Sequence, residues 1–206
     1  IFTGKTEAPY IQAFDNDFDL SGPPISTVDE NSFIIGITGD GAFLYTFKRD
    51  KTVRWYSINQ ETGELALSGS HTHEFLIETS LHLVEDGYLY AFNDSDYKLY
   101  IYTRDVATGE VAFKEYLDID PSDVVIPDGS ELVSADAYIP PDGKNIYIFY
   151  YYNFSESGEE YYKSKMFSYV IDKDPFELKE KRTFDQVGIP FFWGKFSDDG
   201  QYFIFY

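Results

Sequence analysis

The only histidines in the chain, His71, His73 and His82, fall within twelve positions of one another. Imidazole titrates near neutral pH and ligates transition metals, so such a group can serve proton transfer or metal binding. In an extended segment His71 and His73 point the same way, and Glu74 or Glu78 would complete a set suited to zinc or nickel. The plainer reading, a solvated loop pair, is preferred. His82 alternates with Leu81 and Leu83, as an inner-strand or channel-lining histidine would.

A second oxygen-rich constellation is Asp15, Asp17 and Asp19, spaced at every second position like the ligands of a calcium loop. Leu20 stands where an EF-hand loop needs glycine and Ser26 where it needs glutamate, so an acidic hairpin turn is the alternative to calcium. Asp136 with Glu131 is a candidate acid/base pair if the fold brings the two within reach. No Gly-x-Ser-x-Gly elbow, Walker loop or dinucleotide fingerprint occurs, and there is no cysteine. Binding candidates are Arg49, in the basic turn Lys48 to Lys51, Tyr97, in the turn from Asn93, and Tyr152, Tyr161 and Tyr162 beside the polar stretch 153–160. Exposed tyrosines suit sugars and proteins because they combine apolar area with a hydroxyl at low entropic cost.

Charge narrows the partners. With 36 acidic and 16 basic residues the net charge is -20, a field that repels nucleic acid and favours cations, basic proteins or neutral ligands. No run approaches the ~18 consecutive apolar residues of a membrane-crossing helix. A soluble chain is expected, a mature processed product or an excised piece, secretion being one route, and either a monomer or a homodimer.

The elements that must position these residues are short strands in a repeat. Asp40-Gly41, Asp86-Gly87, Asp142-Gly143 and Asp199-Gly200 each precede an aromatic run, at intervals of 46, 56 and 57 residues. The runs Phe43 to Phe47, Tyr88 to Phe92 and Ile146 to Tyr152 are nearly continuous in apolar or aromatic residues, as strands covered on both faces are. Thr62-Gly63-Glu64-Leu65 and Thr108-Gly109-Glu110-Val111 close the third strand of their units and open the fourth, which is expected over Glu64 to Ser68 in the first unit. Such a period, built from short strands, predicts an all-β β-propeller of about four blades, each of four antiparallel strands. Continuing from Gly200 through the C-terminus and on from Ile1 to Gly41 spans 47 residues, one more period. The last blade is therefore expected to be shared between N- and C-terminal strands, unless the chain is part of a larger propeller. The expected division is a closing half-blade at 1–27, blades at 28–70, 71–120 and 121–187, and a half-blade at 188–206.

Phe43-Leu-Tyr, Thr52-Val-Arg-Trp-Tyr-Ser-Ile58, Glu61-Thr-Gly-Glu-Leu65, Pro141-Asp-Gly-Lys-Asn-Ile-Tyr147 and Ser197-Asp-Asp-Gly-Gln-Tyr202 together resemble the repeat of lactonase-type propellers. Those include bacterial 6-phosphogluconolactonases and muconate-lactonising relatives, which have seven blades. The resemblance implies the propeller fold; it transfers no catalytic residue, position by position. Two functions follow as expectations. The preferred one is a non-enzymatic module that binds a protein or glycan through rim loops. The alternative is a lactonase-like hydrolase or isomerase using a histidine and a carboxylate.

Overall fold

A computed structural model describes residues 10–11, 25–27, 32–48, 51–73, 79–83, 87–156, 159–184, 194–196 and 203–205. The strands are β1 (Tyr10–Ile11), β2 (Ile25–Thr27), β3 (Ser32–Ile37), β4 (Phe43–Lys48), β5 (Thr52–Ile58) and β6 (Leu65–Thr72). They continue as β7 (Thr79–Leu83), β8 (Tyr88–Asn93), β9 (Lys98–Arg104), β10 (Val111–Asp118), β11 (Glu131–Tyr138) and β12 (Asn145–Glu156). The last are β13 (Glu159–Lys173), β14 (Phe176–Phe184), β15 (Gly194–Phe196) and β16 (Phe203–Phe205). Three four-stranded meanders result, β3-β4-β5-β6, β7-β8-β9-β10 and β11-β12-β13-β14, with two-stranded ladders β1-β2 and β15-β16. The chain is all-β, and the repeat read from the sequence is a repeat of four-stranded antiparallel sheets. Among the described residues β1-β2 and β15-β16 are separate ladders, and no register joins them.

Two compact units are formed, residues 1–77 with 103–112, and residues 78–102 with 113–206. In the first, β4 is buried from Phe43 to Phe47: Leu44 and Tyr45 are 0% exposed, and Phe43, Thr46 and Phe47 are little more. In the second, the core gathers Tyr90 and Phe92 of β8, Leu99 and Ile101 of β9, Ile146, Ile148 and Tyr150 of β12, and Phe167 of β13. Rings pack there edge to face, as their quadrupoles favour: Tyr150 on Phe167 at 5.5 Å and Tyr138 on Phe149 at 5.4 Å between centroids. The aromatic excess is thus the packing material of strands covered on both faces.

The turns repeat at atomic level. Asn59 Oδ1 accepts from the amides of Glu61 and Thr62, at 2.9 and 3.0 Å, and Asp105 Oδ1 accepts from Ala107 and Thr108 at 2.9 and 2.8 Å. Each tip closes with a glycine amide on the backbone carbonyl of that same Asn or Asp, Gly63 on Asn59 and Gly109 on Asp105. In the Asp-Gly turn, Asp40 Oδ1 accepts from the Thr38 hydroxyl at 2.6 Å and the Ala42 amide at 3.0 Å, while Gly41 adopts φ of 70°. Only glycine enters that left-handed region without cost, which is why the dipeptide recurs.

Two elements differ from the sequence reading. The polar stretch after Tyr152, expected as an excursion, continues the ladder, with Asn153 opposite Tyr162, Ser155 opposite Glu160 and Glu156 opposite Glu159. The strand residues Phe154, Tyr161 and Tyr162 carry pairing through the polar positions between them. The fourth strand of the first sheet, expected to end at Ser68, runs to Thr72 because the first residues of β5 supply partners, Thr52 for Thr72 and Val53 for His71.

Candidate functional site

The longer β6 changes the histidine pair. His71 is half-buried in the strand, and His73, directly beyond it, is 7% exposed, so the solvated loop pair is replaced by two imidazoles held at a sheet edge. The His73 amide donates to the Lys51 carbonyl at 3.0 Å, and the Thr52 and Thr72 hydroxyls are 3.2 Å apart. These bonds fix both histidine backbones, and the rings lie 6.2 Å apart between centroids, tilted by 37°. His82 is opposite Tyr90 on β7, in the other unit. Among the described residues no group of three His, Cys, Asp or Glu is arranged to hold a metal ion. Asp15, Asp17, Asp19, Arg49, Glu74 and Glu78 lie outside the described residues.

The tyrosine candidates separate. Tyr97 takes φ of 52° in the β8-β9 turn and stacks on Tyr150 at 6.2 Å, and its burial raises the phenol's pKa. Tyr152 is 4% exposed, opposite Leu132 and Lys163. Both pack the second unit. Tyr161 is 42% exposed, and Tyr162 pairs with Asn153 along the β12-β13 ladder. Glu131 and Asp136 stand five positions apart on one strand, about 16 Å at strand rise, too far to act on one substrate atom. Asp136 instead accepts from the Tyr138 hydroxyl at 3.1 Å and the Ala137 amide at 2.9 Å.

Two clusters were missed by reading the sequence. In the first unit, the Tyr45 hydroxyl donates to the Gly109 carbonyl at 2.7 Å, and the ring of Phe43 fills the space where a side chain at Gly109 would stand. Arg104, 9% exposed, places its charge beside Tyr45. Burial pushes the Tyr45 phenol up to about 12, Arg104 opposing the rise. Asp40 is held below the usual carboxylate range, first by the Thr38 hydroxyl, then by the Ala42 amide, with a smaller contribution from Arg104. With the phenol committed to Gly109, this corner clamps the β9-β10 hairpin tip to β4.

The other cluster lies on β10, the edge strand of its sheet. Phe113 is 40% exposed and Tyr116 47%, and both lean on the buried Tyr100 at 6.4 and 6.1 Å between centroids. Lys98 Nζ sits 4.2 Å from the centre of the Tyr116 ring, and the Tyr100 hydroxyl donates to Asp96 at 2.6 Å. The Tyr100 phenol is raised by burial first, then by Asp96, with Tyr116 and Asp118 adding charge effects. Large rings with a cation and carboxylates at their margin form a contact surface that offers apolar area and both donors and acceptors. The sequence signal was faint: two rings three positions apart in a strand that otherwise reads as an ordinary solvent-facing edge.

No family model matches the chain, and no curated protein matches it in sequence. Solved structures do match. A 6-phosphogluconolactonase-like protein of Bacteroides uniformis superimposes with a TM-score of 0.61 at 13% identity, over 96% of this chain and 57% of that one. The fold is a β-propeller fold. A periplasmic gluconolactonase of Pseudomonas aeruginosa matches at TM-score 0.54 and 15% identity, over 87% of this chain and 48% of that one. The β-propeller domain of Cps50 (Swd1) from Myceliophteria thermophila matches at 0.53 and 12%, over 88% of this chain and 53% of that one. This chain therefore spans about half the length of these propellers, and its likeness to the lactonase-type repeat is a likeness of fold. Among the described residues no helix is long and apolar enough to cross a membrane.

Proposed function

We propose that the chain is a non-enzymatic propeller module that recognises a protein or a glycan. The observation that carries this reading is the β10 surface, where Phe113 and Tyr116 stand exposed on a floor made by Tyr100, with Lys98 at the margin. Rings pre-positioned by packing lose little entropy on binding, so their exposed area converts efficiently into affinity. The contact surface thereby moves from Tyr97 and Tyr152, which pack the core, to the edge strand, with Tyr161 as a further exposed ring. The fold is shared with the β-propeller domain of Cps50 (Swd1) as well as with the lactonase-type proteins.

A lactonase-like hydrolase or isomerase is the second reading, and the fold likeness to the Bacteroides uniformis protein favours it. Its candidate residues are His71 and His73, on and just beyond the edge strand β6, and His82 on β7. One experiment separates the readings. Wild type and Phe113→Ser/Tyr116→Ser are screened on glycan and protein arrays, and wild type is assayed for hydrolysis of gluconolactone and 6-phosphogluconolactone. Binding by wild type that the double variant loses at unchanged melting temperature supports the module. Lactone turnover above the spontaneous rate, abolished in a histidine variant, overturns it.

A further inference from the structure

We propose that His71 and His73 form a two-histidine site for a divalent transition-metal ion, zinc in particular. This inference is independent of the binding surface on β10. Residues i and i+2 of extended backbone project to the same side, and here His71 is in β6 while His73, directly beyond it, is tied by its amide to Lys51. Val53 is the ladder partner of His71, and Thr72, the residue between the histidines in sequence, is paired with Thr52 with their hydroxyls 3.2 Å apart. The backbone thus holds both imidazoles in register before any ion arrives, which removes most of the ordering cost that a flexible pair would bear.

The geometry lies close to what zinc requires. A Zn–N bond of about 2.0 Å puts the metal roughly 3.2 Å from each ring centre, and a tetrahedral angle between two such vectors sets the centres about 5.2 Å apart. The observed separation is 6.2 Å. Small rotations about the side-chain bonds of the half-buried His71, with the more enclosed His73 as the fixed member, close that gap. Water completes the coordination shell, and the net charge of -20 draws cations to the surface.

The test uses the untagged full chain, stripped with chelator and titrated with zinc chloride by calorimetry, with melting temperature followed in parallel. Wild type should take up one zinc at micromolar affinity and melt at higher temperature when loaded. His71→Ala should weaken binding at least tenfold and lose the zinc-dependent rise, whereas His82→Ala should bind as wild type does. Because His73 is buried, His73→Asn serves as a second variant, read only where its metal-free melting curve matches wild type. Cobalt(II) supplies an independent readout, a visible absorption band in wild type that is missing in His71→Ala. Equal zinc uptake by wild type and His71→Ala, or no uptake by wild type at 1 mM zinc (about a thousandfold above the expected range), overturns the proposal.

Discussion

Replacing Gly109 with alanine probes the contact between the β9-β10 tip and β4. Gly109 has φ of 74°, and a Cβ built there would stand 2.6 Å from Phe43 Cδ1 and 2.8 Å from Cε1. Two costs combine: about 1–2 kcal/mol for an L-residue in the left-handed region, and about 1–3 kcal/mol for displacing a packed ring. Gly129 is the control, because its φ of 80° imposes the same backbone cost while nothing lies within 4 Å of its Cβ position. Urea denaturation should therefore show Gly109→Ala less stable than Gly129→Ala by about 1–3 kcal/mol, the overpacking contribution alone. Phe43→Leu, which withdraws the ring, should return part of that difference in the double variant, a coupling expected only of residues in contact. Equal losses at the two glycines, or additivity of Phe43→Leu with Gly109→Ala, would refute the close approach and with it the clamp.

Tyr45→Phe removes the bond to the Gly109 carbonyl and should cost about 1–2 kcal/mol, measurable by urea titration at pH 7. Because burial raises the Tyr45 phenol to about 12 from an ordinary 10.0, its contribution is full below pH 10 and is lost as pH rises through 12. Melting curves between pH 9 and 12 should accordingly fall less steeply for Tyr45→Phe than for wild type. At the acid end, the Thr108 amide holds Asp105 below the carboxylate value of 3.8, so its contribution is present above that pH and disappears as pH drops through the lower folded value. Asp105→Asn should flatten the acid limb of stability, and Asn59→Ala, in the equivalent uncharged turn, should leave that limb unchanged. Phe113→Ser/Tyr116→Ser should keep the melting temperature within a few degrees while abolishing ligand capture, since both rings are already exposed in the folded state.

The blades were legible because their information is local. Asp-Gly and Thr-Gly turns and the doubly covered runs at Phe43 to Phe47 and Ile146 to Tyr152 specify strand, turn and strand within a few dozen residues, and the sheets follow that reading closely. Where polarity was taken as a sign of loop, the reading failed. Residues 153–156, residues 159–160 and His71 pair as strands because a ladder propagates through polar side chains when the partner strand supplies its amides and carbonyls.

Site residues were far less legible. A tyrosine reads alike whether it is Tyr97, folded back onto Tyr150, or Tyr116, left open on an edge. Which of them faces water depends on what packs across the sheet, and that is set by residues dozens of positions away. Arg104 shows the same limit: nothing in its neighbours along the chain signals that its guanidinium is buried beside Tyr45, 59 positions earlier. The sequence by itself determined the strands, their turns and the repeating four-stranded sheet, through short-range hydrogen bonding and side-chain periodicity. Tertiary structure alone decided which aromatics outside those continuous runs became core and which became surface, because there burial is set by long-range contacts rather than by the local pattern.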